Sequence, residues 1–292
     1  MIFKPDHIKQ RRVYCRIEPR NQVERQVPFA NLLCCGTDDV AKLRTAMRAI
    51  LFDFGGTLDF PRHWLDRFVA HYQAAGIDIE RAELEGAFST ATQKAYACGA
   101  RLWDYSLSQL VGFLIDLQFD HLSVRDAAAP RRLLAAVAAD KSINELKTQI
   151  RDSFVAESAV GFGVSRRLLA SLAQHLKIGV VSNFYGNLDR VISEAGFAHS
   201  IRTIADSGRL GFYKPDPRIL AASLAQLRVH PQDAVMVGDS LSKDCAPARQ
   251  MGMATVWLQH REFNPRELAP SDPVDFTIHS LEELKDFGWL AG

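Results

Sequence analysis

From Ser165 onward the chain alternates short apolar runs with amphipathic stretches, and this alternation narrows the available folds more than any other feature. KIGVVSN, IRTIADS, AVMVGD and ATVWL read as buried strands. Between them RRLLASLAQHL, NLDRVISEAGF and PRILAASLAQL repeat apolar residues at helical spacing, with Gly196 and Gly252 where helices should end. Strands joined through helices run parallel, because only a long crossover returns the chain to the same end of a sheet. The expected class is therefore α/β with a parallel sheet. VDFTIHS and LEELKDF fit one more strand and a closing helix.

An earlier apolar run, Ala49 to Phe52, reads as another strand of that sheet and delivers Asp53 into a turn containing Gly55 and Gly56. Ligands of open parallel sheets gather outside the carboxyl ends of the strands, which makes Asp53 a candidate reacting group. Three later segments behave alike. GVVSN exposes Ser182 and Asn183, suited to phosphate oxygens; AVMVGDS ends in Asp239, with Asp244 five residues on; GFYKPDP carries Lys214 ahead of Pro215, with Asp216 and Pro217 opening a helix. Each alone has an ordinary explanation: a turn, a solvated lysine, an acid pair at a helix start. Their recurrence at successive strand and loop ends points to one assembled site.

Between these parts, Phe60 to about Gly163 lacks strand-like alternation. Leu84, Phe88, Ala91 and Ala95, then Leu110, Phe113, Leu114 and Leu117, recur at helical spacing, which suggests a bundle of about four or five helices. Trp64, Trp103 and Tyr105, with His63, Arg101 and Asp104, are candidates for a pocket or for packing and surface. Residues 1–46 carry nine basic and five acidic side chains and little periodicity. Val13 to Ile17 could be a short strand and Asp38 to Met47 a capped helix turn. The segment reads as an accessory arm or as sequence upstream of the true start, and its acids argue against a transit peptide.

Charge excludes some partners. Lys and Arg number 35 against 34 acidic residues, so no net field draws nucleic acid or a membrane surface. No apolar run reaches the roughly 20 residues that span a bilayer, and no secretory h-region is present; a cytoplasmic location is expected. The five cysteines, Cys15, Cys34, Cys35, Cys98 and Cys245, lack CxxC spacing and suggest reduced thiols rather than a zinc site or disulfides.

DFGGTL, SN at Ser182, KPDP with Lys214 and GDSLSKD with Asp239 and Asp244 resemble, in order and spacing, the four motifs of the haloacid dehalogenase (HAD) superfamily of hydrolases. The resemblance runs from Met47 to the C-terminus. It implies a Rossmann-like α/β core at 47–60 and 165–292, an inserted α-helical cap at 61–164, and an N-terminal extension of unknown role at 1–46. It also implies a small phosphorylated substrate, Asp53 as nucleophile, and Mg²⁺ held by Asp53, the Gly55 carbonyl and Asp239. Asp244 would orient water or Lys214, while Lys214, Ser182 and Asn183 would grip the transferred phosphoryl group and Thr57 would fix Asp53.

One position departs from the pattern. Phosphatases of the family usually carry an Asp two residues after the nucleophile as general acid and base; here it is Gly55. Such a group contributes about 10²–10⁴ in rate. Three explanations follow. The chain is a phosphatase whose leaving group departs unaided, or which borrows an acid from Asp59, the cap or water. It cleaves phosphonates with a cap lysine, Lys94, Lys141 or Lys147. Or it is a binding or scaffold module that has lost turnover. Dehalogenase chemistry needs no metal and does not resemble GDSLSKD with its two acids.

Overall fold

A computed structural model describes residues 47–125, 142–260 and 266–287. Strand β1 is Ala49–Phe52, β2 Lys177–Ser182, β3 Ile201–Asp206, β4 Ala234–Gly238, β5 Ala254–Leu258 and β6 Phe276–Ile278. All pairings are parallel, and the spatial order is β3-β2-β1-β4-β5-β6. The direction of winding reverses between β1 and β4, the kind of crevice in which α/β sheets bind ligands.

Both faces of β1 are covered, which explains its unbroken apolar run. Ile50 and Phe52 join one core with Ile178, Val180, Val235 and Val237, whereas Ala49 and Leu51 join a second with Val181, Ala234 and Met236. Full burial of each large side chain stabilises by about 1.5–3 kcal/mol.

Helix α1 (Trp64–Ala74), α2 (Arg81–Cys98), α3 (Leu107–Arg125) and α4 (Ile143–Leu172) lie between β1 and β2. They are followed by α5 (Leu188–Glu194), the single turn α6 (Ser207–Leu210), α7 (Arg218–Leu227) and α8 (Ala246–Gln250). Reciprocal capping starts α4, where Ser142 Oγ accepts from Glu145 N at 3.2 Å and Glu145 accepts from Ser142 N at 2.6 Å. Helix α4 is one 30-residue helix running through positions 164 and 165: no proline interrupts it, and its buried stripe continues from Phe154 through Ser158, Gly161 and Ser165 to Leu168 and Leu172. The segment after β6 is a 3₁₀ helix, Leu281–Asp286, rather than an α-helix. The expected strand and helix within 1–46 lie outside the described residues, apart from Met47. Among the described residues no helix is long and apolar enough to cross a membrane, and Cys98 and Cys245 are free thiols.

The inserted helices are tied to the loop after β1 by buried charge. Arg67 of α1 is fully buried and donates to Asp59 Oδ2 at 2.6 Å, to Glu157 Oε2 and Ser158 Oγ of α4 at 2.6 Å each, and to the Phe154 carbonyl at 3.0 Å. Its guanidinium also lies over the Phe154 ring at 3.7 Å. Asp59, equally buried, accepts from Gly56 N at 2.8 Å, Phe60 N at 2.7 Å and Trp64 Nε1 at 2.6 Å. Burial pushes the Asp59 carboxyl up, and Arg67 and these donors pull it back down. The same crossing explains a glycine inside α4: a Cβ at Gly161 would lie 1.9 Å from the Asp59 carbonyl oxygen.

Arg67→Met should lower unfolding free energy by about 3–5 kcal/mol, since it leaves Asp59 buried without its cation. Gly161→Ala should also destabilise, by about 1–3 kcal/mol, although alanine is the better helix former. Denaturant midpoints of both variants against the unmodified chain check these values.

Candidate active site

Four chain segments meet at the carboxyl end of the sheet. Phe52 pairs with Val180 of β2 on one side and with Val237 of β4 on the other, and the Asp53 N–H donates to the Val237 carbonyl at 2.9 Å. This register brings Asp53, Ser182 and Asp239 out of the sheet side by side. Lys214 arrives from the loop between α6 and α7. Its ammonium donates to Asp53 Oδ1 and to Asp244 Oδ1 at 2.6 Å each, and Ser182 Oγ donates to Asp53 Oδ1 at 2.9 Å. Both protein donors thus fall on the same Asp53 oxygen.

The acids lie unusually close. One oxygen from each of Asp53, Asp239 and Asp244 lies within 4.8 Å of the others. Burial, then Asp53 and Asp244, push the Asp239 carboxyl well up; burial raises Asp244 to about 6 although Lys214 pulls it down. Burial works against the Lys214 charge too, but Asp244 and Asp53 outweigh it and push its pKa up. Three carboxylates facing one ammonium leave negative charge uncompensated in a desolvated place. That donor set, all oxygen, fits a hard divalent cation such as Mg²⁺. Gly56 makes the packing possible: at φ +87° it adopts a conformation that side chains rarely take, and a Cβ there would lie 2.5 Å from Asp239 Oδ2.

The remaining expected residues take different places. Asn183 spends its carboxamide on the main chain of Lys214, donating to its carbonyl at 2.9 Å and accepting its N–H at 2.7 Å. It therefore holds the lysine loop. The Thr57 hydroxyl is buried without a hydrogen-bond partner and does not bind Asp53. Gly55 lines the cavity, and an added Cβ would lie 3.3 Å from Trp64 Nε1, so the indole fills the space next to that position. Asp59 is enclosed in the Arg67 network.

The cavity around Asp53 measures about 1070 Å³. His63 and Trp64 line it, whereas Arg101, Trp103, Asp104 and Tyr105 do not. Trp103 instead packs over Gly186, where a Cβ would lie 2.3 Å from the indole. His63 caps α1, its Nδ1 accepting from Leu65 N at 3.2 Å, and burial followed by Lys243 pushes its pKa down. Asp206 at the end of β3, outside the motif pattern, accepts from Gly186 N, Leu188 N and Gly208 N at 2.8–3.0 Å and so shapes the loop after Ser182. Its signal was available: one more acid at a strand exit. Tyr96, Tyr185 and Tyr213, which no sequence pattern singles out, also line the cavity. Of these, Tyr213 directly precedes Lys214 and Tyr185 follows Asn183 by two residues.

Comparison with known proteins agrees with this architecture. Haloacid dehalogenase-like hydrolase domain-containing protein 3 of Bos taurus is 26% identical over 82% of this chain and 93% of its own length. A phosphoserine phosphatase of Thermus thermophilus is 36% identical over 37% of this chain and 43% of its own length. A glyceraldehyde 3-phosphate phosphatase of Methanopyrus kandleri is 36% identical over 31% and 40%. The chain thus spans less than half the length of these two phosphatases. Among solved structures, an L-2-haloacid dehalogenase matches with TM-score 0.53 at 18% identity, covering 84% of this chain and 99% of that one, a likeness of fold. The family model for haloacid dehalogenase-like hydrolases matches residues 47–252, more than half the chain. With that match, the parallel sheet and the helical insertion between β1 and β2, the chain belongs to the haloacid dehalogenase-like hydrolases.

Proposed function

We propose that this hydrolase is a Mg²⁺-dependent phosphatase acting on a small phosphorylated molecule through an acyl phosphate on Asp53. The observation that carries this reading is the surroundings of one carboxylate. Asp53 Oδ1 is bound by Lys214 and Ser182, within reach of Asp239 and Asp244, in a cavity large enough for a metabolite. The names of the partly matching relatives, a phosphoserine phosphatase and a glyceraldehyde 3-phosphate phosphatase, support it.

Asp53 Oδ2, which among the described residues has no donor of the kind that Lys214 and Ser182 supply to Oδ1, attacks phosphorus while the bond to the leaving oxygen breaks. Water then attacks the acyl phosphate, releasing inorganic phosphate and restoring the carboxylate. Asp53, the Gly55 carbonyl and Asp239 would hold Mg²⁺, with Asp244 orienting Lys214 and bound water. The cation, when bound, supplies positive charge that offsets repulsion between an anionic nucleophile and an anionic substrate. Lys214 adds a fixed ammonium, Ser182 a hydroxyl donor, and Asn183 keeps the lysine loop in register.

The phosphonate reading finds less support. Lys94 is exposed, Lys147 pairs with Asp116 at 2.9 Å, and neither lines the cavity; Lys141 lies outside the described residues. A binding module without turnover is separated from the phosphatase by assay.

Phosphate release from 4-nitrophenyl phosphate should require Mg²⁺, stop with EDTA and fall on the order of 10³-fold or more in Asp53→Asn. Absence of release would favour the binding module. Calorimetric Mg²⁺ affinity should fall about tenfold or more in Asp239→Asn. Gly55→Asp should restore no alkyl phosphatase activity on its own, because its side chain meets the Trp64 indole, and should cost about 1–3 kcal/mol in stability. Kinetics with an alkyl phosphate and a thermal melt check both.

A further inference from the structure

The groups that line the cavity bear on how catalysis could proceed without an acid at Gly55. The place beside Gly55 is tight: an added Cβ would lie 3.3 Å from Trp64 Nε1, and that indole is anchored to Asp59 Oδ2 at 2.6 Å, which limits how far it can give. Asp59 cannot substitute, because both its oxygens are taken by buried donors and it does not line the cavity. Outside the Asp53, Asp239 and Asp244 cluster, the carboxylates lining the cavity are Asp66 and Asp272. Each is held by an arginine, Arg81 at 2.6 Å and Arg266 at 2.7 Å, which ties its carboxylate to the rim of the cavity. His63 accepts a backbone hydrogen bond at Nδ1, which puts its single proton on Nε2. In that neutral form it offers a hydrogen bond but does not surrender the proton.

A second feature is independent of the first. Three tyrosines form an aromatic wall beside the phosphoryl-binding groups. Tyr185 and Tyr213 come from the core loops that carry Ser182 and Lys214, and Tyr96 comes from α2. Tyr96 lies against Tyr185 at 5.0 Å between centroids, 28° from parallel, and meets Tyr213 edge-on at 4.9 Å. Tyr213 remains 38% exposed, so one ring of the cluster still has surface to offer. Flat, uncharged ring faces suit another ring better than a flexible polyol.

We propose that the cavity takes phosphate monoesters of planar aromatic alcohols, with a phenol-like leaving group packed against Tyr213, which Tyr96 and Tyr185 back from behind. This rests on the phosphatase reading. Asp53 forms its bond to phosphorus, the bond from phosphorus to the aryl oxygen breaks, and the electron pair leaves as an aryloxide that solvent protonates. Phenols ionise near pH 10, far below alkyl alcohols, so their departure needs no protein acid.

Four substrates separate the two features when tested on the full chain with Mg²⁺. Phenyl phosphate is aromatic with an acidic leaving group and benzyl phosphate aromatic without one; acetyl phosphate is acidic without a ring, and ethyl phosphate is neither. Phenyl phosphate should exceed benzyl phosphate in kcat/KM by about 10² or more, the handicap of a missing acid. Tyr213→Ala should lower the ratio of phenyl to acetyl phosphate kcat/KM roughly 2- to 10-fold, the worth of one aromatic contact. Comparable rates on phenyl and benzyl phosphate would overturn the inference by showing that another cavity group, such as Lys243 or His260, delivers a proton. A ratio unchanged in both Tyr213→Ala and Tyr96→Leu would overturn the aromatic wall. In either case Asp53-dependent phosphate release keeps the phosphatase reading intact. Turnover of none of the four substrates sinks that reading and this inference together.

Discussion

Everything around the site answers to the repulsion among three carboxylates held at neighbouring strand ends. Asp53, Asp239 and Asp244 can approach within 4.8 Å in a buried place only because Lys214 stands between two of them and because the donor set admits a cation. A sheet whose strands leave in register is a rigid way to hold like charges together. The main-chain bond from Asp53 to Val237 and the glycine at position 56 are the local devices that permit it. Asn183, gripping both polar atoms of the Lys214 main chain, keeps that lysine in place between Asp53 and Asp244.

A second buried charge cluster connects this site to the inserted helices. Asp59, six residues after Asp53, joins the loop after β1 to Arg67 of α1, and Arg67 joins Glu157 and Ser158 of α4. Breaking such a network costs more than forming it gains, so it acts by excluding other arrangements of the loop and the helices. The close pass of Gly161 over Asp59 has the same effect through packing. Trp64, locked to Asp59, then closes the space beside Gly55.

Much of this was legible in the residues. The apolar runs became β1 to β5 nearly as read, because both faces of the sheet are covered and period-two alternation gives way to continuous hydrophobicity. The acids and the lysine of the site stood out because polar groups at the exits of buried strands need a reason. The contacts of Thr57 and Asn183 are not legible in the sequence: Thr57 Oγ1 meets no hydrogen-bond partner and Asn183 binds the Lys214 main chain, because which partner a short polar side chain selects depends on atoms tenths of an ångström apart. The pocket was harder still. Trp103 and Tyr105 were as aromatic as Tyr96 and Tyr213, and composition cannot tell a ring that packs on Gly186 from one that faces a cavity.

The amino-acid sequence by itself determined the parallel α/β core, the helical insertion and the membership of Asp53, Ser182, Lys214, Asp239 and Asp244 in one site, because hydrophobic period and motif order are local properties of a chain. Only the tertiary structure decided that Asp59 is sequestered by Arg67, that Trp64 fills the place beside Gly55 and that three tyrosines from distant segments share a wall. Those are contacts between residues far apart in the chain, set by how helices of the insertion cross the sheet, and no short-range pattern encodes a crossing.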